Sequence, residues 1–338
     1  MTDARDSRAP AAVLVTRPDV PGRDAVDGLA GDGWSLVWEP GRPADGHALG
    51  GRVDAVGAVG VIALGDDPLD ARFFAAAGAA GVRVVSLVAV GHDNVDLAAA
   101  ERAGVVVTNT PGVLAETVAD TAFALVLMAR RRLVEASDDM RAGRWAGFAL
   151  DGWLGLDVHG ATLGLLGYGE IGRAVARRGR GFGMRVQHLA RPSAPDDEVS
   201  SAVGWEELLG GSDVVVVALP LRDGPGGTRG IVDAAALRLM RRTATLVNVG
   251  RGPLVVEADL LAALGEGRLH SAGLDVFDGE PRRDPRDPVM RTPGLVVLPH
   301  VGSASEATRV GMTRLAVRNV RAVLAGQPPL TPVTAPTT

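Results

Sequence analysis

A chain of 338 residues with 46% hydrophobic and 22% charged side chains is long enough for two domains of about 150 residues each. Its net charge of −5 gives no reason to expect nucleic acid or a membrane surface as a partner, and the absence of cysteine excludes disulfides and thiolate zinc sites. Because no apolar run approaches the ~20 residues that cross a bilayer and the polar start lacks a signal-peptide core, we expect a cytoplasmic protein.

Short apolar, β-branched runs alternate with Ala-rich helical stretches over the first third of the chain. This alternation is typical of parallel βα units with both sheet faces covered. The predicted strands are Ala12–Thr16, Ser35–Trp38, Gly60–Leu64, Val82–Leu87 and Val105–Thr108. A long apolar helix is predicted next, from about Glu116 to Arg132.

A second βα series follows this helix. Its predicted strands are Ala161–Leu166, Met184–Leu189, Val214–Leu219, Ala244–Val249, Ser271–Val276 and Leu295–Leu298. A last helix, about Ser305 to Leu324, comes after this series and is too isolated to form a domain. We therefore expect it to return to the first domain. The predicted boundaries are a first domain over 1–110 and 303–330, a second over 111–302, and a disordered Pro/Thr-rich tail over 331–338.

A glycine-rich turn links the first strand of the second series to a helix. Its residues are Gly167, Tyr168, Gly169, Glu170, Ile171 and Gly172, which form the pattern GxGxxG. In strand–turn–helix context the glycines allow a tight turn, close approach of a pyrophosphate, and close helix–strand packing. The helix N-terminus adds unpaired N–H donors. We predict a dinucleotide-binding site at these six residues.

The ribose end of this site is expected where the next strand ends. Dinucleotide sites that bind NAD usually carry Asp or Glu about 20 residues after the glycines, whereas here the strand is followed by Ala190 and Arg191. An arginine beside a small residue suits a 2′-phosphate, so NADP(H) is the preferred cofactor and NAD(H) the alternative. Leu219, Pro220 and Val249, which end other strands of the series, are predicted as further cofactor contacts.

Three later segments offer one guanidinium, carboxylates and one imidazole at predicted strand ends. They are Asn248–Gly252, Gly273–Pro281 and Leu298–Gly302. All 35 basic residues are arginine, so no mechanism can use a lysine, and a proton donor must come from six histidines, one tyrosine or a carboxyl group. Reduction of a 2-oxo acid needs a guanidinium on the substrate carboxylate, an imidazolium as proton donor and a carboxylate that keeps it charged.

From about Val82 to Ala304 the chain resembles the D-2-hydroxyacid dehydrogenases. The matching stretches are Val90–Asp96, Asn109–Gly112, Thr162–Gly167, Val249–Gly252, Leu274–Phe277 and Pro299–His300. Six matches in the same order are far more specific than any single motif. The resemblance implies an α/β fold of two doubly wound parallel-sheet domains, with a Rossmann nucleotide-binding domain inserted into a flavodoxin-like substrate domain.

The resemblance also implies roles for individual residues. In the family, the arginine of the RG motif binds substrate, and the glutamate of the EP motif pairs with the acid/base histidine of the PH motif. These roles fall on Arg251, Glu280 and His300. Two alternatives stay open: Arg251 as a structural ion pair, and Asp278, two residues from Glu280, as the carboxylate in its place.

Further roles come from the same resemblance. The family's backbone N–H cradle for the substrate carboxylate falls on Val90 and Gly91, and Asp275 is placed beside the nicotinamide. Within the family the chain is most similar to the glyoxylate/hydroxypyruvate reductases, through Ala89–Asn94, Gly181–Met184 and Leu298–Ala304.

A homodimer is expected as well. The predicted helix from Glu116 to Arg132 and the segment Trp145–Trp153 carry more hydrophobic surface than a monomer should expose. Trp153 lies about where this subgroup has a tryptophan that reaches into the partner subunit's pocket, with the spacing shifted by about one residue.

Two other functions remain alternatives at this point. A cofactor-sensing binding protein of the corepressor type would share the fold and the motifs without catalysis. A formate dehydrogenase would resemble this chain but pairs its histidine with glutamine, where Glu280 stands here.

Overall fold

The computed structural model describes residues 11–191 and 197–334. Its strands are β1 (Ala12–Val15), β2 (Ser35–Trp38), β3 (Ala58–Ala63), β4 (Val84–Leu87), β5 (Val106–Thr108), β6 (Thr162–Leu166), β7 (Arg185–Leu189), β8 (Ser201–Val203), β9 (Val214–Val217), β10 (Thr245–Asn248), β11 (Ser271–Leu274) and β12 (Leu295–Val297). Its α-helices are α1 (Arg23–Gly31), α2 (Gly46–Ala55), α3 (Ala71–Ala80), α4 (Leu97–Arg102), α5 (Ala115–Arg130), α6 (Leu133–Arg141), α7 (Glu170–Gly181), α8 (Trp205–Gly211), α9 (Ala234–Leu239), α10 (Glu257–Gly265) and α11 (Glu306–Leu324). Short 3₁₀ turns lie at Gly252–Leu254 and Pro288–Met290.

The chain divides into two compact units, Met1–Leu114 with Ser305–Thr338, and Ala115–Ala304. The first unit holds a five-stranded parallel sheet in the order β2-β1-β3-β4-β5, which is the flavodoxin-like order. Helix α11 joins this unit because its apolar residues, among them Val317 and Val320, pack with Val13, Ile62 and Val84 of the sheet.

The residues after α11 also pack on the first unit. Pro332 forms an antiparallel bridge with Thr108 of β5, and the N–H of Val333 donates to the carbonyl of Val107 at 2.9 Å. The prediction of a disordered tail is therefore wrong for residues 331–334. The Pro/Thr-rich composition predicts disorder. The side chain of Asn319 in α11, however, accepts the N–H groups of Leu330 and Thr331 and so fixes the chain beside β5. Residues 335–338 lie outside the described part of the chain.

The second unit holds a seven-stranded parallel sheet in the order β12-β11-β10-β9-β6-β7-β8. This is the doubly wound order of a Rossmann domain, extended by one strand, with its switch point between β6 and β9. The predicted fold class, two doubly wound parallel-sheet domains, is confirmed. Strand β8 was not predicted, because its three residues are exposed or half-buried and give no apolar signal.

Helix α5 forms one wall of the second unit. It begins at Ala115 and ends at Arg130, and its apolar residues, including Val118, Phe123 and Leu125, are buried. The helix packs against β10, β11 and α7 of the same unit, so its apolar surface is covered within one chain. Within residues 11–191 and 197–334, no helix combines the length and the apolarity needed to span a bilayer.

Candidate active site

The glycine turn lies between β6 and α7, at the switch point of the second sheet. Gly167 has φ +109°, and a Cβ there would lie 2.5 Å from the carbonyl oxygen of Ala218. A Cβ on Gly172 would lie 2.1 Å from the carbonyl oxygen of Gly167, so the helix could not start so close to the turn with any other residue. Gly169 caps the N-terminus of α7 and has no atom within 4 Å of its Cβ position, which leaves room for a phosphate.

Tyr168, within the glycine turn, is buried and anchors the chain that precedes β8. Its hydroxyl donates to the Asp197 carboxylate at 2.8 Å, and Arg173 donates to the same carboxylate at 2.7 Å. The ring of Tyr168 stacks on His188, which is hydrogen-bonded to Ser200. Burial, with the hydrogen bond to Asp197, raises the pKa of Tyr168 to about 12, so the hydroxyl stays protonated.

The other two predicted residues of the glycine turn are Glu170, whose side chain is exposed, and Ile171, whose side chain is half-buried.

The predicted ribose-binding residues follow β7. The N–H of Ala190 donates to the carbonyl of Val203 at 2.9 Å, which ties this end of β7 to β8. Arg191 is exposed. The next residues, 192–196, lie outside the described part of the chain. Of the described residues that follow, Asp197 supplies the first carboxylate, and Tyr168 and Arg173 already occupy it.

The remaining predicted cofactor residues lie at the carboxyl ends of β9 and β10. Leu219 and Val249 are buried, whereas Pro220 is exposed. A Cβ on Gly250 would lie 2.8 Å from the carbonyl oxygen of Leu219. The ends of the two strands therefore pack closely, beside the glycine turn that follows β6.

His300 and Glu280 form a hydrogen-bonded pair. Nδ1 of His300 lies 2.7 Å from Oε2 of Glu280, and the other carboxylate oxygen accepts the N–H of Phe277 at 2.7 Å. The side chain of His300 is half exposed, which leaves the imidazole accessible. The structure thus pairs the histidine with Glu280, and Asp278 takes no part in this contact.

The electrostatics of this pair favour a charged imidazole. The hydrogen bond to Glu280 raises the pKa of His300 above its ordinary value, against the opposing effects of burial and of the Arg251 charge. Burial acts to raise the pKa of Glu280, but hydrogen bonds from His300 and from the N–H of Phe277 outweigh burial and leave it below the ordinary value. The pair therefore keeps a proton on His300 to a higher pH than an isolated histidine would hold it.

Asp275, predicted to lie beside the nicotinamide, shapes the segment that carries His300. Its two carboxylate oxygens accept the N–H groups of Val301 and Gly302 at 2.8 and 2.7 Å. His300 itself has φ +53°, a left-handed conformation that is strained for a residue with a side chain. Burial raises the pKa of Asp275 against these two hydrogen bonds. The carboxylate therefore fixes the turn in which His300 stands.

Arg251 follows β10, next to the strand whose loop carries Glu280. The turn is held by Asn248, whose side chain donates to the carbonyl of Arg251 at 2.8 Å and accepts the N–H of Gly250 at 3.0 Å. A Cβ on Gly252 would lie 1.9 Å from the carbonyl carbon of Phe277. This contact sets the distance between the Arg251 turn and the Glu280 loop. Sequence reasoning assigned no role to Asn248 or Gly252, although both stand in the motif that carries Arg251.

Val90 and Gly91, the predicted carboxylate cradle, lie in the first unit, in the loop that follows β4. Both are half-buried, and the carbonyl of Val90 accepts the side-chain amide of Asn109 at 2.8 Å. Their role in binding substrate stays a prediction.

These observations define a class of protein. A nucleotide-binding turn stands at the switch point of a Rossmann sheet, and a guanidinium, a carboxylate and an imidazole follow three neighbouring strands, β10, β11 and β12. This arrangement is typical of nucleotide-dependent oxidoreductases that transfer a hydride and a proton.

Comparison with known proteins identifies the family. A family model described as D-isomer specific 2-hydroxyacid dehydrogenase, NAD binding domain, matches residues 123–302. The chain is 41% identical over 301 residues to a glyoxylate reductase of Korarchaeum cryptofilum, covering 87% of each protein. It is 43% identical over 250 residues to glyoxylate/hydroxypyruvate reductase B of Erwinia tasmaniensis, covering 73% of this chain and 77% of the relative.

A solved structure agrees. The NADPH-dependent glyoxylate/hydroxypyruvate reductase of Sinorhizobium meliloti, in complex with NADP and malonate, superposes with a TM-score of 0.82 at 33% identity, covering 96% of this chain and 97% of that one. The chain therefore belongs to the D-isomer-specific 2-hydroxyacid dehydrogenase family, as the sequence motifs predict, and it is an oxidoreductase with an NAD-binding domain.

Proposed function

We propose that this enzyme reduces a small 2-oxo acid, of the glyoxylate or hydroxypyruvate type, to the D-2-hydroxy acid, and catalyses the reverse reaction. The observation that carries the proposal is the 2.7 Å hydrogen bond between His300 and Glu280, with Arg251 on the neighbouring turn. Relatives named as glyoxylate and glyoxylate/hydroxypyruvate reductases support the substrate class.

The residues divide the chemistry among themselves. Bound NAD(P)H supplies the hydride that reaches the carbonyl carbon of the substrate. The guanidinium of Arg251 binds the substrate carboxylate and polarises the neighbouring carbonyl. Nε2 of His300 donates the proton to the carbonyl oxygen, and Glu280 stabilises the imidazolium before that transfer. In oxidation the neutral imidazole accepts the hydroxyl proton instead.

A spectrophotometric panel tests this function. The wild type is mixed with NADPH or NADH and with glyoxylate, hydroxypyruvate, pyruvate or phenylpyruvate, and loss of the reduced cofactor is followed. Turnover of at least one acid supports the proposal. Cofactor binding without turnover of any acid would instead favour a cofactor-sensing binding protein. A separate reaction contains formate and NAD+ or NADP+, and reduction of the cofactor there without turnover of any 2-oxo acid would favour a formate dehydrogenase.

We further propose that NADP(H) is the preferred cofactor, because Arg191 is exposed at the ribose end of β7 and Ala190 stands where a carboxylate would hold a ribose 2′-hydroxyl. Replacement of Arg191 with Ala should raise KM for NADPH by about tenfold, since a charged hydrogen-bonding partner of the 2′-phosphate is lost, and should leave KM for NADH nearly unchanged. Initial rates with each cofactor measure both constants.

The matched control is Arg180→Ala. It removes an exposed arginine from the last turn of α7, whereas the glycine turn lies at the first turn of that helix. It should leave both constants at wild-type values. A wild-type enzyme that favours NADH by tenfold or more would contradict the proposed preference.

We also propose a homodimer. Within the second unit, the segment around α6 exposes a run of large apolar side chains that nothing in the described chain covers: Leu133, Met140, Trp145, Phe148, Leu150 and Leu154. Phe148 and Leu150 are 88% and 86% exposed. An apolar surface of this kind is typical of a protein–protein interface. The apolar face of α5 is buried within its own unit, so the expectation of a dimer now rests on this segment alone.

Light scattering tests the dimer at micromolar protein. The wild type should give twice the 34.8 kDa mass of one chain, and the double variant Phe148→Asp/Leu150→Asp should give a monomer, because buried charge without a partner disfavours association. Leu239→Asp, at an exposed apolar residue of α9, is the control and should remain dimeric. A wild-type mass of a single chain would refute the dimer.

Trp153 takes part in this segment. Its indole N–H donates to Asp139 of the same chain at 2.8 Å, and its backbone has φ +46°. A role for Trp153 in the partner subunit's pocket stays a prediction, as does the cytoplasmic location.

A further inference from the structure

The loop that follows β4 carries two backbone donors without an acceptor. Within residues 11–191 and 197–334, the N–H groups of Val90 and Gly91 donate no hydrogen bond. Buried or half-buried N–H groups are nearly always paired in proteins. Two adjacent unpaired donors on a half-buried loop therefore form a ready site for a small anion, provided that the loop is held in one conformation.

Asn109 holds this loop by a hydrogen bond to its backbone. Its side-chain amide donates to the carbonyl of Val90 at 2.8 Å, and the N–H of the next residue, Thr110, donates to the carbonyl of Ala89 at 2.9 Å. Each peptide group is planar, so fixing the carbonyl of Val90 also fixes the direction of the N–H of Gly91, which belongs to the same peptide. Asn109 thereby orients one of the two donors directly.

Asn109 is itself held by the segment after α11. Its N–H donates to the carbonyl of Thr331 at 3.2 Å, and the hydroxyl of Thr331 donates to the carbonyl of Asn109 at 2.6 Å. The same hydroxyl accepts the side-chain amide of Asn319 at 2.8 Å, and Asn319 is fully buried in α11. A continuous chain of hydrogen bonds thus runs from the buried face of α11 through Thr331 and Asn109 to the loop after β4.

We propose that Asn109 is a positioning residue for the substrate carboxylate and that Thr331 holds it in place. The proposal rests on the proposed function, because it takes the N–H groups of Val90 and Gly91 as the donors that receive the carboxylate. Asn109 touches neither substrate nor cofactor in this account. It acts by keeping the Gly91 donor pointed in one direction, so its loss weakens binding of any small carboxylate to that loop.

The test removes the amide and leaves the backbone contacts of the residue intact. For Asn109→Ala we expect KM for the 2-oxo acid to rise by about tenfold, the effect of one lost hydrogen bond on a half-buried loop. The turnover number should change less than about twofold, and the dissociation constant of NADPH should be unchanged, because neither involves this loop. Asn109→Asp keeps the shape and loses the donor, so it should weaken binding at least as much.

A matched pair of threonine variants tests the outer part of the chain of hydrogen bonds. Thr331→Val removes the hydroxyl that joins Asn319 to Asn109, and it should raise the same KM by a smaller factor of about threefold. The control is Thr313→Val, which removes a threonine hydroxyl within α11. That hydroxyl donates to the carbonyl of Arg309 in the same helix. This control should leave KM at the wild-type value.

Binding of oxalate, measured by titration calorimetry on the NADPH complex, gives a readout that needs no turnover. The affinity for oxalate should fall in Asn109→Ala by the same factor as KM rises. Unchanged KM and oxalate affinity in both Asn109 variants would overturn the proposal, and so would a parallel loss of NADPH affinity and turnover. A wild type that reduces no 2-oxo acid would contradict the proposed function, while the oxalate measurement would still decide the role of Asn109.

Discussion

Replacement of His300 with Gln is expected to lower kcat for 2-oxo acid reduction by about two to four orders of magnitude, the usual contribution of a general acid. Glutamine approximates the size of the imidazole and can still donate a hydrogen bond to Glu280, but its amide protons are too weakly acidic to be transferred to the carbonyl oxygen of the substrate. The dissociation constant of NADPH should stay at the wild-type value, because the glycine turn is a separate segment of the unit. Steady-state rates and NADPH fluorescence titration measure both effects.

His47→Gln is the control for this variant. His47 is exposed on α2 in the first unit, so its replacement should leave kcat unchanged. If His300→Gln folds, binds NADPH and reduces glyoxylate as fast as the wild type, then His300 is not the proton donor.

Replacement of Glu280 with Gln should leave a slower enzyme. As pH rises, its reduction rate should begin to fall at a lower pH than that of the wild type. In the wild type the hydrogen bond and charge of Glu280 raise the pKa of His300, so the imidazolium survives to a higher pH than that of a free histidine. Without the charge, burial and Arg251 act to lower that pKa, and the proton is lost earlier as pH rises. We therefore expect the reduction limb of the pH profile to move to lower pH and kcat near neutral pH to fall, and the dependence of kcat on pH in the two enzymes measures both effects.

Asp278→Asn is the matched control, since Asp278 is the neighbouring carboxylate that the sequence left as an alternative. Among the described residues Asp278 forms no hydrogen bond or ion pair with His300, whose carboxylate partner is Glu280, so its replacement should leave the pH profile in place. A shift in Asp278→Asn and none in Glu280→Gln would reverse the assignment of the partner carboxylate.

The sequence predicts the architecture well because the buried strands are apolar along their whole length. Strands such as β9 consist of consecutive valines that are fully buried, and the glycine turn after β6 has a spacing that the backbone geometry demands. The pairing of residues that meet after neighbouring strands follows from the same topology. Glu280 and His300, twenty residues apart, lie in the segments that follow β11 and β12, which run side by side.

Other features depend on contacts that no local pattern reveals. Thr331 and Asn109 are separated by 222 positions, and the Pro/Thr-rich composition around Thr331 favours disorder unless its partner is known. The approach of Gly252 to Phe277 likewise depends on how two loops pack, since glycine alone is compatible with many turns. The family resemblance predicts that Asp275 lies beside the nicotinamide, but no local pattern predicts its hydrogen bonds to Val301 and Gly302, which are 26 and 27 positions away.

The pH dependence of the wild type in both directions tests the central claim, that His300 exchanges the proton under the influence of Glu280. The rate of 2-oxo acid reduction should fall as pH rises, and the fall should come at a higher pH than the ordinary histidine value of about 6.5. Oxidation of the matching hydroxy acid should rise through the same pH range, because it needs the neutral imidazole. Two curves that cross in this way support the account. A reduction rate that does not change between about pH 6 and 9 would contradict it.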